Sequence, residues 1–201
     1  MAADPATRIA FVRNLAIFLK TYGLDGADVD WEHPKSKAEI ENFQKLLIEL
    51  KSAFRLHGFK LSIAVSGWGT YLKPETIPFV DRIHVMAYDQ GTPHSPFAGA
   101  TRDIKHWEKQ GVPKSKLILG IPFYGKNAKG QALGYSEILN RFKPGADSDL
   151  AGGYHFNGPA TIRKKTDYAI REGFGGVMIW ELGQDVKGKN SLLHAIGKKE
   201  E

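Results

Sequence analysis

The 201-residue sequence predicts an α/β protein built on a parallel sheet. Three observations lead there: helix-like and strand-like patterns alternate, the strands are short and apolar, and polar or aromatic groups recur at their carboxyl ends. From Thr7 to Tyr22, Ile9, Phe11, Val12, Leu15, Phe18 and Leu19 fall at three- and four-residue spacing, a helical stripe that Gly23 stops. Leu24 to Trp31 alternates acidic and apolar residues with period two, as a strand does with one packed face and one polar face. A longer helix follows Pro34, with Ile40, Phe43, Leu46, Leu47, Leu50 and Phe54 as its stripe and His57-Gly58 as its end. Phe59 to Ser66 is the next strand, punctuated by Gly67-Trp68-Gly69.

The alternation then continues. Arg82 to Tyr88 reads as a strand, Thr101 to Gln110 as a helix, and Leu117 to Tyr124 as a strand. Pro159 to Glu172 is a helix with proline in its first turn, followed by the strand Phe174 to Leu182 and a last helix from Ser191 to Ile196. The whole reads as one helix followed by five strand-helix units, with right-handed crossovers. The long connection from Gly125 to Gly158 carries one short helix, Ser136 to Arg141.

Barrels and doubly wound sheets share this alternation. Two features favour the barrel. Functional groups sit at the carboxyl ends of several strands: Asp30 and Glu32, Ser66 and Trp68, Tyr88 and Asp89, Tyr124, then Trp180 and Glu181. The glycine-rich phosphate loops of doubly wound nucleotide enzymes, GxGxxG and GxxxxGK[ST], are absent.

Composition sets the outer bounds. With 42% hydrophobic, 25% charged and 11% aromatic residues the chain is globular, and its length suits one domain or two small ones. Its longest apolar runs, about six residues, cannot span a membrane, so no membrane partner is expected, and MAADPATRIAF lacks an export signal, which leaves localisation open. Zero cysteines exclude disulfides, thiol nucleophiles and cysteine zinc sites, and the seven histidines show no HExxH spacing. No metal or other cofactor is called for. The net charge of +6 is spread over helix faces and tails, which argues for solvated surfaces rather than a nucleic-acid partner.

The acidic residues are less evenly placed. Asp25, Asp28, Asp30 and Glu32 crowd together, and on a strand Asp28, Asp30 and Glu32 point the same way. Like charges that close cannot all ionise cheaply, so one proton is held above its ordinary pKa, as a general acid at neutral pH requires. Glu32, nearest the carboxyl end, is the expected acid. Asp30 would share its proton and Asp28 would support Asp30. The other reading of such a row is an exposed acidic edge or a magnesium site, but Trp31, His33 and Pro34 add no oxygen ligands.

Leu24 to Pro34 (LDGADVDWEHP) resembles the DGxDxDxE signature of family 18 glycoside hydrolases, the chitinases and their relatives. Met86-Ala87-Tyr88-Asp89 is similar to the family's MxYD, Gly120 to Gly125 (GIPFYG) to its GxPxYG strand, and Trp180 to its last-strand tryptophan. The resemblance implies strands four to eight of a (β/α)₈ TIM barrel, so that residues 1–201 form a single but partial catalytic domain. It also implies a retaining mechanism in which the substrate's own 2-acetamido carbonyl attacks the anomeric carbon while Glu32 protonates the leaving oxygen. Asp30 would orient the acetamido group, and Tyr88 would donate a hydrogen bond to it. Asp89 would bind sugar hydroxyls and Trp180 would floor the subsite before the scissile bond. Trp68 is a candidate for sugar stacking, Tyr124 and Met86 for lining the groove; each has packing as its other reading.

The expected partner is chitin or an N-acetylglucosamine oligosaccharide, and relatives are commonly exported. An endo-β-N-acetylglucosaminidase and a non-hydrolytic sugar-binding protein remain alternatives. Three early strands of the family pattern, including SxGG, are absent, so the strands around Asp28 and Trp180 should present open edges that invite self-association. The Gly125 to Gly158 connection is too short for the family's α+β insertion, which predicts an open groove and endo-acting cleavage.

Overall fold

Residues 1–197 are described by a computed structural model. Helix α1 (Pro5–Tyr22) starts where Asp4 accepts a hydrogen bond from the Thr7 backbone at 2.7 Å and ends at Gly23, whose φ of 62° is left-handed. Strand β1 (Gly26–Asp30) leads to α2 (Lys37–Arg55), which opens with a capping box between Ser36 and Glu39. Strand β2 (Lys60–Ser66), strand β3 (Arg82–Met86), α3 (Phe97–Lys109) and β4 (Leu117–Pro122) follow. Next come β5 (Tyr124–Asn127), β6 (Ala132–Gly134), α4 (Tyr135–Phe142), β7 (Leu150–Ala151) and β8 (Tyr154–His155). The chain continues through α5 (Pro159–Glu172), β9 (Gly176–Trp180) and α6 (Leu192–Gly197).

The main sheet is parallel, in the order β1-β2-β3-β4-β9. Its register separates two faces. Asp28 pairs with Ser62 and Ser62 with Arg82, Asp30 with Ala64 and Ala64 with His84, while Gly120 pairs with Met178 and Pro122 with Trp180. These positions share one face, which mixes small, polar and large side chains. The alternate positions Leu61, Ile63, Val65, Ile83, Val85, Leu119 and Ile121 are all fully buried on the other face, where α2, α3 and α5 pack. Burying each such side chain contributes about 1.5–3 kcal/mol, so this face carries much of the stability. Trp107 of α3, also fully buried, donates its indole N–H to the Ser66 carbonyl at 2.8 Å and pins α3 to the end of β2.

Four expectations need correction. The second unit has no α-helix: Pro74 and Pro78 restrict the connection to a 3₁₀ turn over Pro74–Phe79. The Gly125 to Gly158 connection, expected to be too short for an α+β element, holds one: beside α4, β5 to β8 form a four-stranded antiparallel sheet in the order β6-β5-β8-β7. Its strands of two to four residues are too short to register as periodicity. The α1 stripe is only half used: Val12 and Leu19 are buried, whereas Ile9 and Phe18 are exposed. The buried position is instead taken by Arg8, whose guanidinium grips Glu49 of α2 at 2.7–2.9 Å. Finally, the strand around Asp28 stops at Asp30, so Glu32 lies past the last ladder pair.

Among the described residues no helix is long and apolar enough to cross a membrane. Strands β1 and β9 are the outermost, each paired on one side among the described residues.

Candidate active site

The carboxyl ends of the five parallel strands surround a cleft of about 870 Å³. It gathers Asp30, Glu32, Met86, Tyr88, Asp89, Tyr124, Trp68 and Trp180, eight of the nine residues singled out in the sequence. Asp28 is the one left out. It lines a separate depression lower on the same face with Lys60, Arg82 and His84, and its carboxylate lies directly against His84 Nδ1.

The carboxylate row is electrostatically coupled. Burial pushes the Asp30 pKa up, and the charges of Glu32 and Asp28 push it further. The middle member of the row thus has a raised proton affinity. Glu32, its side chain 56% exposed, sits 3.8 Å from His33 Nε2. Trp31, between the two acids, turns to the helix side and packs edge-on against Phe43 of α2 at 5.8 Å.

Tyr88 and Asp89 enter from the loop after β3. Asp89 has a φ of 62°, in the left-handed region that Asp tolerates better than most residues. Burial raises the Tyr88 pKa, and the carboxylates Asp30, Asp89, Glu32 and Asp28 raise it further, so the phenol stays protonated and is available as a donor. Asp89 goes the other way. Burial opposes its charge, but contacts with His94, Lys126 and Tyr124 outweigh it and hold its pKa well below the carboxylate range. Lys126 Nζ and the Tyr124 hydroxyl each reach Asp89 Oδ1 at 2.7 Å, and His94 Nδ1 lies 3.4 Å from the same oxygen. Tyr124 is only 7% exposed, its hydroxyl donated to Asp89; burial and that bond raise its pKa.

Two tryptophans give the cleft its apolar surfaces. Trp180 at the end of β9 is 53% exposed, and Trp68 beyond β2 is 67% exposed. Exposed indoles in a polar cleft are suited to stacking on the apolar faces of a sugar ring. Trp68 packs edge-on against His33 at 5.2 Å, and His33 stacks on Tyr71 at 5.9 Å. The Tyr71 hydroxyl accepts from the Ser66 backbone N–H at 2.9 Å. Glycine is required at position 67, because a Cβ there would collide with the Asp103 carboxylate.

The sequence reading missed His33, Tyr71, Gln90, Arg102, Asp103 and His106, although all but Tyr71 line the cleft. For His33 its place next to Glu32 was a usable signal. The others lie in long connections or on α3, outside any motif. Among the described residues no group of three or more His, Cys, Asp or Glu is arranged to hold a metal ion.

A parallel sheet with a carboxylate-bearing cleft at its strand ends places the chain with barrel-type α/β proteins. The chain belongs to glycosyl hydrolases family 18, whose family model matches residues 1–185. An endochitinase of Manduca sexta is 33% identical over 183 residues, which cover 73% of this chain and 33% of that protein. A family 18 chitinase from the chitin utilization locus of Flavobacterium johnsoniae superposes with a TM-score of 0.86 at 34% identity, over 96% of this chain and 65% of that one. A class V chitinase of Nicotiana tobaccum, solved with an N-acetylglucosamine tetramer, gives 0.81 at 25% identity, over 98% of this chain and 76% of that one. The fold therefore matches the barrel chitinases over nearly all of this chain, and homologous structures bind chitooligosaccharides. The chain spans less than two thirds of the first two of these proteins.

Proposed function

We propose that this chain carries the catalytic cleft of a chitinase that cleaves β-1,4-linked N-acetylglucosamine polymers with retention of configuration. One observation carries the reading: Asp30, Glu32, Tyr88, Asp89 and two exposed tryptophans converge on one cleft. Glu32 is the general acid. It protonates the leaving oxygen while the acetamido carbonyl of the sugar attacks the anomeric carbon, and water then opens the cyclic intermediate with Glu32 as base. Asp30, its proton affinity raised by burial and by Glu32, holds the acetamido N–H and stabilises the developing positive charge. Tyr88, kept protonated, donates to the acetamido oxygen. Asp89 takes its protein contacts on Oδ1, leaving Oδ2 for a sugar hydroxyl. Trp180 floors the subsite before the scissile bond, and Trp68 stacks beyond it.

A second reading, sugar binding without turnover, is favoured by the position of the acids. They sit at the end of an edge strand, where Glu32 is exposed and Asp30 only partly shielded, so that water is poorly excluded. Release of sugar from chitotetraose or a fluorogenic chitobioside, beside a Glu32→Gln control, separates the two. Turnover by the unaltered protein alone supports the hydrolase. Equal signal from both proteins sinks it, and binding without turnover supports the second reading.

A further inference from the structure

Lys165 lies on α5, outside the cleft, and is fully buried. Its three N–H groups have three acceptors: the Ser95 carbonyl at 2.8 Å, the Ser95 hydroxyl at 2.7 Å and Asn157 Oδ1 at 2.6 Å. No carboxylate among the described residues lies within ion-pair distance of it. Burial pulls its pKa down to about 7, against the pull of the more distant Asp149 and Asp103. A buried lysine without an ionic partner is a poor way to add stability, since an apolar side chain of similar length avoids the desolvation cost.

What Lys165 holds gives it a different role. Ser95, having accepted from Lys165, donates its own hydroxyl to the Ala87 carbonyl at 2.7 Å, the peptide that leads into Tyr88. Asn157 adds a second tie to the Ser95 carbonyl at 3.0 Å. The neighbouring His94 places Nε2 against the Tyr124 carbonyl at 3.2 Å and Nδ1 near Asp89. The Gln90 backbone N–H donates to the His94 carbonyl at 2.9 Å and closes the loop. The segment that carries Tyr88 and Asp89 is therefore fastened at its far end by a network that centres on one amine.

We propose that Lys165 is a positioning residue: through Ser95 and the Ala87 carbonyl it sets the place of the Tyr88 hydroxyl and the Asp89 carboxylate in the cleft. The role in turnover rests on the chitinase reading above, whereas the effect on Tyr88 does not.

The test uses Lys165→Met, Ser95→Ala and the double variant. Tyrosine labelled with ¹³C at Cζ reports Tyr88 in the free protein, with Tyr88→Phe assigning the resonance, and kcat and KM are measured on chitotetraose. Both single variants should shift the Tyr88 resonance. They should lower kcat about tenfold or more, the scale expected when a reacting group is displaced, and raise KM as well where Asp89 loses its sugar contact. The double variant should be no worse than the worse single one, because both act through the same link. Lower melting temperature with an unmoved Tyr88 resonance and unchanged kcat would overturn the proposal. If Lys165→Met fails to fold, Ser95→Ala decides by the same criteria. If the unaltered protein shows no turnover, the chitinase reading fails, and the Tyr88 resonance alone decides the positioning role.

Discussion

The two faces of the five-stranded sheet are made by alternate residues of the same strands, yet they have nothing else in common. On the helix side Leu61, Ile63, Val65, Ile83 and Val85 are fully buried and interchangeable in character. On the cleft side Asp28, Asp30, Ser62, His84, Met86 and Trp180 are chemically distinct, and several are exposed. The helix side builds a rigid platform from burial, and the cleft side is then free to hold coupled charges that add little to stability. A substitution should accordingly change either stability or chemistry, depending on the parity of its position.

The largest effect that sharpens this contrast is expected at Glu32. Replacing it by Gln should lower hydrolysis of a chitooligosaccharide by about 10²–10⁴, the usual contribution of a general acid, while the melting temperature hardly moves. Next comes the opposite face. Ile63→Ala should cost about 2–5 kcal/mol of unfolding free energy, read from urea denaturation, with kcat of the folded fraction nearly unchanged. A large fall in kcat without lost stability would break the division between the faces.

Smaller, and specific to the cleft, is a pair of opposed pH effects. The Asp89 pKa is lowered on folding, so its charge adds stability above the unfolded value of about 3.9 and loses it as pH falls through the folded one. The Asp30 pKa is raised, so its ionisation removes stability as pH climbs from about 3.9 through the folded value. Relative to the unaltered protein, Asp89→Asn should lose urea resistance from acid to neutral pH, and Asp30→Asn should gain it over the same range. Parallel curves would show that the two carboxyls do not differ as described. The weakest effect concerns β1 and β9, each paired on one side among the described residues, which should raise the weight-average mass of this chain in sedimentation as concentration increases. A concentration-independent monomer would count against edge pairing.

Legibility in the sequence followed the same division. Alternation exposed all five parallel strands, because each must bury one face, and the cleft residues stood out where motif and strand end coincided, as at Asp30, Glu32, Tyr88 and Asp89. What stayed hidden lacked a period. The strands β5 to β8 are too short to show one, and the 3₁₀ turn at Pro74–Phe79 is held by prolines rather than by a stripe. The proton affinity of Asp30 depends on burial that only the folded chain defines. Lys165 did leave a trace, since it occupies a stripe position on α5 between the buried Ile162 and Ala169, where a lysine is out of place.

The reading of the cleft as a substrate-assisted glycosidase is tested most directly by the stereochemistry of its first product. Chitotetraose cleavage followed by ¹H NMR should give the β-anomer first, with the α-anomer appearing only by later mutarotation. Initial release of the α-anomer would mean direct attack by water on the opposite face, and would contradict the roles assigned here to Asp30, Glu32 and Tyr88.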